Sequence, residues 1–157
     1  MGITKGFGLA VFLATFALPS AAQEAFDACD VFTMKDAEEA LGTGVFEATV
    51  FKGKRPKVVS DCKYTASKDG RNLAASAQFR FARTEADMRQ SFADARMELQ
   101  TKPLSITGHE AFWSGKTGQL HLRKGRTWLT VAVGPEKPGE RDVEAARKVA
   151  EAIAKKL

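Results

Sequence analysis

The chain has only two histidines, His109 and His121, which are the side chains best suited to proton transfer near neutral pH. His109 follows Gly108 in a predicted turn, and His121 points outward by strand alternation. Neither has an acidic residue at helical metal-binding spacing, and no Gly-x-Ser-x-Gly or His-Glu-x-x-His motif occurs. The pattern favours ordinary surface histidines, without a metal or cofactor. An enzyme acting on an envelope component through His121 or His109 is the alternative.

A cluster of aromatic and basic side chains is predicted near His121. A two-residue turn at Lys124-Gly125 would place Arg123 opposite Arg126 and His121 opposite Trp128. One strand face is then apolar and must face the core: Leu120, Leu122, Leu129, Val131 and Val133. The other face collects the candidate ligand- or partner-binding residues: Phe112, His121, Arg123, Arg126 and Trp128. A preceding hairpin through residues 115–118 sends Trp113 inward.

This aromatic and basic face, if it is uncovered, suits a small anionic or planar ligand or an envelope protein partner. Two structural alternatives stay open. In one, the aromatic side chains simply cover a twisted sheet; in the other, they pack under the chain's own loop at residues 101–109. A register error of one residue would exchange the two faces.

Charge is distributed unevenly along the chain. Residues 23–47 hold seven acids and a single base, Lys35, whereas residues 48–157 hold 22 bases and 12 acids. This asymmetry indicates either an electrostatic partner surface or an acidic first helix that neutralises a basic body. The basic run Lys52–Lys57 is a second candidate surface for an anionic partner, although such a run is usually a solvated hairpin tip. Nucleic acid is not expected as a partner of an exported protein.

Two cysteines, Cys29 and Cys62, follow the N-terminal segment. An even pair in an oxidising compartment is most simply a structural disulfide. A redox or metal site is the alternative, but the wide spacing and the lack of a Cys-x-x-Cys motif argue against it.

The first 22 residues have the pattern of a secretory signal peptide. Lys5 supplies the positive charge, residues 9–18 are apolar, and residues 19–22 are small and suited to cleavage. The remaining residues 23–157 are predicted to form a single domain without a membrane span. The expected location is the periplasm or the extracellular space.

Three stretches have helical periodicity and are separated by strand-like runs. Thr33 with Asp36 and Thr84 with Asp87 are N-terminal capping signals, and the third helix follows residues 138–139. Six strands are predicted at residues 45–51, 57–66, 72–83, 110–114, 119–123 and 127–134. The order predicts an α+β fold: an antiparallel sheet of about six strands in two αβββ units, with helices mainly on one face, plus a C-terminal helix.

Several short motifs resemble those of a family of small exported bacterial envelope domains, many of them lipoproteins and some of them extracellular sensor domains. Residues 28–33, Ala-Cys-Asp-Val-Phe-Thr, resemble the usual Cys-Asp-Leu-Leu-Thr opening, which here leads to Ala40-Leu41-Gly42. The strand segment Cys62-Lys63-Tyr64 and the turn at residues 108–113 resemble two later family motifs. The resemblance implies a fold and a compartment, and it transfers no catalytic residue. The chain departs from it at His109, where Asp is usual, and lacks the lipid-anchor cysteine.

These features together predict an exported, non-catalytic ligand-binding or protein-interaction module. The aromatic and basic sheet face would be its binding surface.

Overall fold

The computed structural model describes residues 26–55, 58–99, 101–106 and 108–157, with the description of residues 51–55 and 58–59 confined to the backbone. The helices are α1 (Ala28–Val31), α2 (Met34–Leu41), α3 (Glu85–Glu98) and α4 (Val143–Lys156), with a 3₁₀ turn at Pro138–Glu140. The strands are β1 (Val45–Arg55), β2 (Val58–Lys68), β3 (Arg71–Phe81), β4 (Thr101–Ile106), β5 (His109–Ser114), β6 (Gln119–Lys124) and β7 (Thr127–Gly134).

The strands form one antiparallel sheet in the order β1-β2-β3-β7-β6-β5-β4. The α+β class and the antiparallel sheet are confirmed, but the strand count is seven rather than six. The additional strand is β4, in the segment predicted to be a loop at residues 101–109. It contains Pro103, which cannot donate a backbone hydrogen bond, and it lies at the edge of the sheet, where proline is tolerated. The second half of the chain is therefore αββββ, not αβββ.

The helix boundaries follow the capping signals in the sequence. Thr33 and Asp36 form a reciprocal capping box at the start of α2, and Gly42 ends that helix in the left-handed conformation with φ of 64°. The Thr84 hydroxyl accepts from the backbone N–H of Asp87 at the start of α3. Capping therefore fixes where α2 and α3 begin, as the sequence predicts.

Helices lie on both faces of the sheet. The main core lies on the inner face, where α1, α2 and α4 pack against the sheet. Helix α3 packs against the outer face through Met88 and Phe92, both 3% exposed. The prediction of helices mainly on one face holds for three of the four helices, and α3 is the exception that matters for the site.

The disulfide between Cys29 and Cys62 is confirmed, with a Cα–Cα distance of 5.2 Å. It joins α1 to β2 at the margin of the main core, where Cys62 is fully buried. The Tyr64 hydroxyl donates to the backbone carbonyl of Phe32 at 3.0 Å, two residues further along the same strand. The disulfide and this hydrogen bond together hold the N-terminal helices against β2.

The acidic N-terminal segment meets the basic end of the chain. Lys156 on α4 donates to the Asp36 carboxylate at 2.7 Å and to the carbonyl of Val31 at 2.9 Å. Part of the charge asymmetry is therefore neutralised within the protein, by the ion pair between Asp36 of α2 and Lys156 of α4.

The β6–β7 hairpin turns one residue later than predicted. Its turn residues are Gly125 and Arg126, and Arg123 lies opposite Trp128 rather than opposite Arg126. Gly125 has a φ of 55° at the first turn position, a conformation that favours glycine. The predicted partner pairs are therefore wrong. The predicted faces are unchanged, because moving a two-residue turn by one position shifts each partner by two residues.

Candidate functional site

Four of the five predicted site residues share the outer face of the sheet, with Arg126 in the adjacent turn, but this face is not bare. Helix α3 covers it, leaving Trp128 7% exposed, His121 4% exposed and Phe112 fully buried. The prediction of an uncovered aromatic patch is wrong for these three residues, because the apolar stripe of α3 needs a partner surface and this face supplies it. The burial of these side chains agrees with the structural alternative, but the element above them is α3 and not the loop at residues 101–109.

An aromatic cluster with one polar link lies beneath α3. Phe92 of α3 lies 4.9 Å from Phe112 and 5.5 Å from Trp128, measured between ring centroids. His121 stacks on Phe112 at 4.6 Å with an interplanar angle of 25°. The Trp128 indole N–H donates to Nδ1 of His121 at 3.1 Å. We call these four residues the outer cluster.

The hydrogen bond from Trp128 determines which ring nitrogen of neutral His121 carries the proton. An indole nitrogen can only donate, so Nδ1 of His121 must be the acceptor and Nε2 must carry the ring proton. Within the described residues, buried Nε2 has no hydrogen-bond partner. Burial, with a smaller contribution from the nearby Arg80 charge, lowers the pKa of His121 to about 4. His121 is thus a neutral, enclosed histidine near pH 7, which disfavours a role as an acid–base catalyst.

We expect His121 to make the protein sensitive to mild acid. The unfolded chain takes up a proton at this histidine near pH 6.5, whereas the folded protein does so only near pH 4. Stability contributed by neutral His121 is therefore present above pH 6.5 and is lost progressively as the pH falls to 4. The full loss is roughly 3 kcal/mol of unfolding free energy.

Denaturant unfolding of wild type and His121→Gln, at several pH values between 4 and 7, measures this loss. The variant should show a shallower decline over the window than wild type. Parallel wild-type and His121→Gln curves would show that His121 does not titrate differently in the folded state.

Arg123 is engaged within the protein. Its side chain, 11% exposed, donates to Glu110 at 3.0 Å and to Glu85 at the start of α3 at 3.1 Å. The Arg123 guanidinium lowers the pKa of both carboxyl groups. Arg123 therefore holds α3 to β5 and β6, and its charge is already balanced. Arg126 is exposed at the hairpin turn, where Nη1 donates to the carbonyl of Arg83.

A groove opens beside Trp128, between α3 and the end of β3. It has a volume of about 530 Å³, within the range of small-ligand pockets. The guanidinium of Arg80 lies 5.0 Å from the Trp128 ring centroid, in a cation–π arrangement. We call this cavity the α3 groove. Its lining consists of Arg80, Phe81, Ala82, Arg83, Asp87, Met88, Ser91 and Trp128.

Trp128 is the only one of the five predicted site residues that lines the α3 groove. Sequence reasoning missed Arg80 and Arg83 because it did not predict that β3 pairs with β7, which brings Arg80 directly opposite Trp128. One signal was available in the sequence. Alternation in β3 places Arg80 on the opposite face from Phe79 and Phe81, and hence outward.

The two histidines do not form a joint site. His109 alternates with Glu110 and Phe112 along β5, which places it on the inner-face side of the strand, whereas His121 lies on the outer face. Among residues 26–55, 58–99, 101–106 and 108–157, no group of three or more His, Cys, Asp or Glu side chains is arranged to hold a metal.

Comparisons with protein-family models, with curated proteins and with solved structures find no match to this chain. The proposed function is therefore inferred from the geometry of the α3 groove. The resemblance to exported envelope domains stays a prediction from the motifs alone.

Two further sequence predictions lie wholly or partly outside the described residues. The signal peptide at residues 1–22 lies entirely outside them. The side chains of the basic run 52–57 lie outside them as well, although β1 extends to Arg55. In the part of the chain that the structure describes, no helix has the length and apolar character needed to cross a membrane.

Proposed function

We propose that this protein is an exported, non-catalytic module that binds a small ligand carrying an anionic group in the α3 groove. The observation that carries the proposal is the composition of the groove, which combines the indole of Trp128 with the guanidinium groups of Arg80 and Arg83. Concave sites with an apolar wall and a few polar groups are the usual form of small-molecule sites.

The compartment is supported by two independent features. The signal-like residues 1–22 point to export, and the Cys29–Cys62 disulfide is typical of proteins that function in an oxidising compartment. We therefore place the module in the periplasm or outside the cell.

The absence of catalysis is supported by the state of His121. This residue is enclosed by the outer cluster, and Nδ1 is occupied by the Trp128 N–H. A general base must reach the proton that it abstracts, and the burial of His121 opposes that role.

Filling the α3 groove tests the proposed function. Ser91 is an exposed residue of α3 that lines the groove, so Ser91→Trp should fill the cavity at little cost to folding. Purified wild type and variant are incubated with a small-molecule extract of periplasm and washed, and the retained compounds are identified by mass spectrometry. We expect wild type to retain compounds that Ser91→Trp does not.

Ala93→Trp is the matched control. Ala93 is exposed on the same helix and does not line the α3 groove. This variant should retain the same compounds as wild type. If Ser91→Trp retained all of them too, the α3 groove would not be the binding site.

A further inference from the structure

Trp128 contributes a small surface to the α3 groove, since this residue is 7% exposed, and the Arg80 guanidinium lies over its ring. The one polar hydrogen of the indole is donated to Nδ1 of His121 at 3.1 Å, inside the protein. Met88, 3% exposed, adds an apolar thioether to the same lining. This apolar part of the groove therefore suits an aromatic or other flat apolar body, which can contact the indole without needing a hydrogen bond from it.

The α3 groove contains more positive than negative charge. Arg80 donates through Nε and Nη2 to the amide oxygen of Gln78 at 3.2 and 3.1 Å, and this partner is neutral. Within the described residues, no ion pair is formed by Arg80 or by Arg83. By contrast, Arg123, which lies on the other side of Trp128 in the sheet, has two carboxylate partners.

The net charge of the lining limits the charge of the ligand. Arg80 and Arg83 supply two positive charges, and Asp87 at the start of α3 supplies one negative charge. The net charge of the groove lining is therefore +1. A ligand with a single negative charge matches this lining.

We propose that the ligand of the α3 groove is a monoanionic aromatic acid, a carboxylate or a sulfonate. Its ring lies in the apolar part of the groove, beside Phe81, Ala82 and the edge of Trp128, and its acid group is bound by Arg80 and Arg83. The inference rests on the proposed function, since it names the chemical class of the compound that this groove takes.

A pair of fluorescent probes that differ by one acid group tests the inference. The anionic probe is 8-anilinonaphthalene-1-sulfonate, and the neutral probe is N-phenyl-1-naphthylamine, which has the same aromatic body without the sulfonate. Both are titrated against the folded protein in a Trp113→Phe background, so that quenching of tryptophan emission reports on Trp128. We expect the anionic probe to bind about tenfold more tightly, the gain typical of one charge-assisted contact.

The double variant Arg80→Gln/Arg83→Gln should remove this preference and leave the affinity of the neutral probe unchanged. Arg71→Gln/Arg147→Gln is the matched control, because it removes the same net charge at exposed arginines outside the α3 groove. The control should keep the tenfold preference. Thermal melting of both double variants checks that the fold is intact.

The outcomes separate this inference from the proposed function. If both probes bind equally and Ser91→Trp blocks both, the α3 groove binds ligands but the acid class is wrong. If inorganic sulfate at millimolar concentration displaces the anionic probe, the groove recognises an anion alone, and the aromatic requirement is wrong. If neither probe binds, or if Ser91→Trp has no effect on either, the proposed function fails together with this inference.

Discussion

Replacing Trp128 with alanine should destabilise the protein by roughly 3–5 kcal/mol, the cost of truncating a large aromatic side chain in a core. Trp128 is 7% exposed, and its indole meets Phe92 of α3 edge-on at 5.5 Å. The substitution removes this contact and opens a void under α3. It also takes away the N–H that Nδ1 of His121 accepts. Among the described residues, the Thr130 hydroxyl at 3.3 Å is then the one remaining hydrogen-bond partner of that nitrogen.

Chemical denaturation followed by far-ultraviolet circular dichroism measures this loss. Trp128→Phe should cost much less than Trp128→Ala, because it keeps most of the buried ring and loses only the indole hydrogen bond. Trp113→Ala is the second comparison. Trp113 is half-buried at the margin of the main core, so its truncation should cost less than that of Trp128. A cost for Trp128→Ala below that of Trp113→Ala would mean that α3 does not cover this face in solution.

Loss of the Cys29–Cys62 bond should cost roughly 3–4 kcal/mol on the chain-entropy model, since the bridge closes a loop spanning a sequence separation of 33 residues. For a domain of this size, that corresponds to a fall in melting temperature of roughly 10–15 °C. The bond links two segments that are distant in sequence, so reduction removes a loop constraint from the unfolded chain and raises its conformational entropy. Calorimetry with and without reductant measures the difference.

Two controls separate the bridge from general effects of the reductant. The double variant Cys29→Ala/Cys62→Ala should melt near the temperature of the reduced wild type and should not respond to reductant. Thiol titration of the denatured, unreduced wild type should find no free thiol. Two reactive thiols, or a melting temperature unaffected by reductant, would refute the bridge.

Local signals in the sequence predict most of the elements of this fold. Thr33 and Thr84 mark helix starts because their hydroxyl groups satisfy backbone N–H groups that the helix leaves free. Alternation places Leu120 and Leu122 inward, and both are fully buried. Strand β4 was missed because Pro103 argues against a central strand, and only the finished sheet shows that this segment lies at an edge.

The site was predicted less well, because its exposure depends on contacts between distant parts of the chain. Strand alternation places Phe112, His121 and Trp128 together, but it gives no information on whether a helix covers them. The apolar stripe of α3 was visible in Met88 and Phe92, yet nothing local says which sheet face that stripe meets. Arg80 joins the site only through the pairing of β3 with β7, whose strands are far apart in sequence.

The strand order also has a consequence for how the chain folds. Strands β1 to β3 and strands β4 to β7 each form a meander of hairpins, which are contacts between near neighbours in sequence. The two meanders meet only at the seam between β3 and β7, and closing that seam carries most of the loop-closure entropy of the sheet. Helix α4 packs on β6 and β7 and also contacts α2, so the main core is completed only after the last residues of the chain are in place. We therefore expect the pairing of β3 with β7 to be the step that limits the folding rate. We also expect neither meander to be stable without the other.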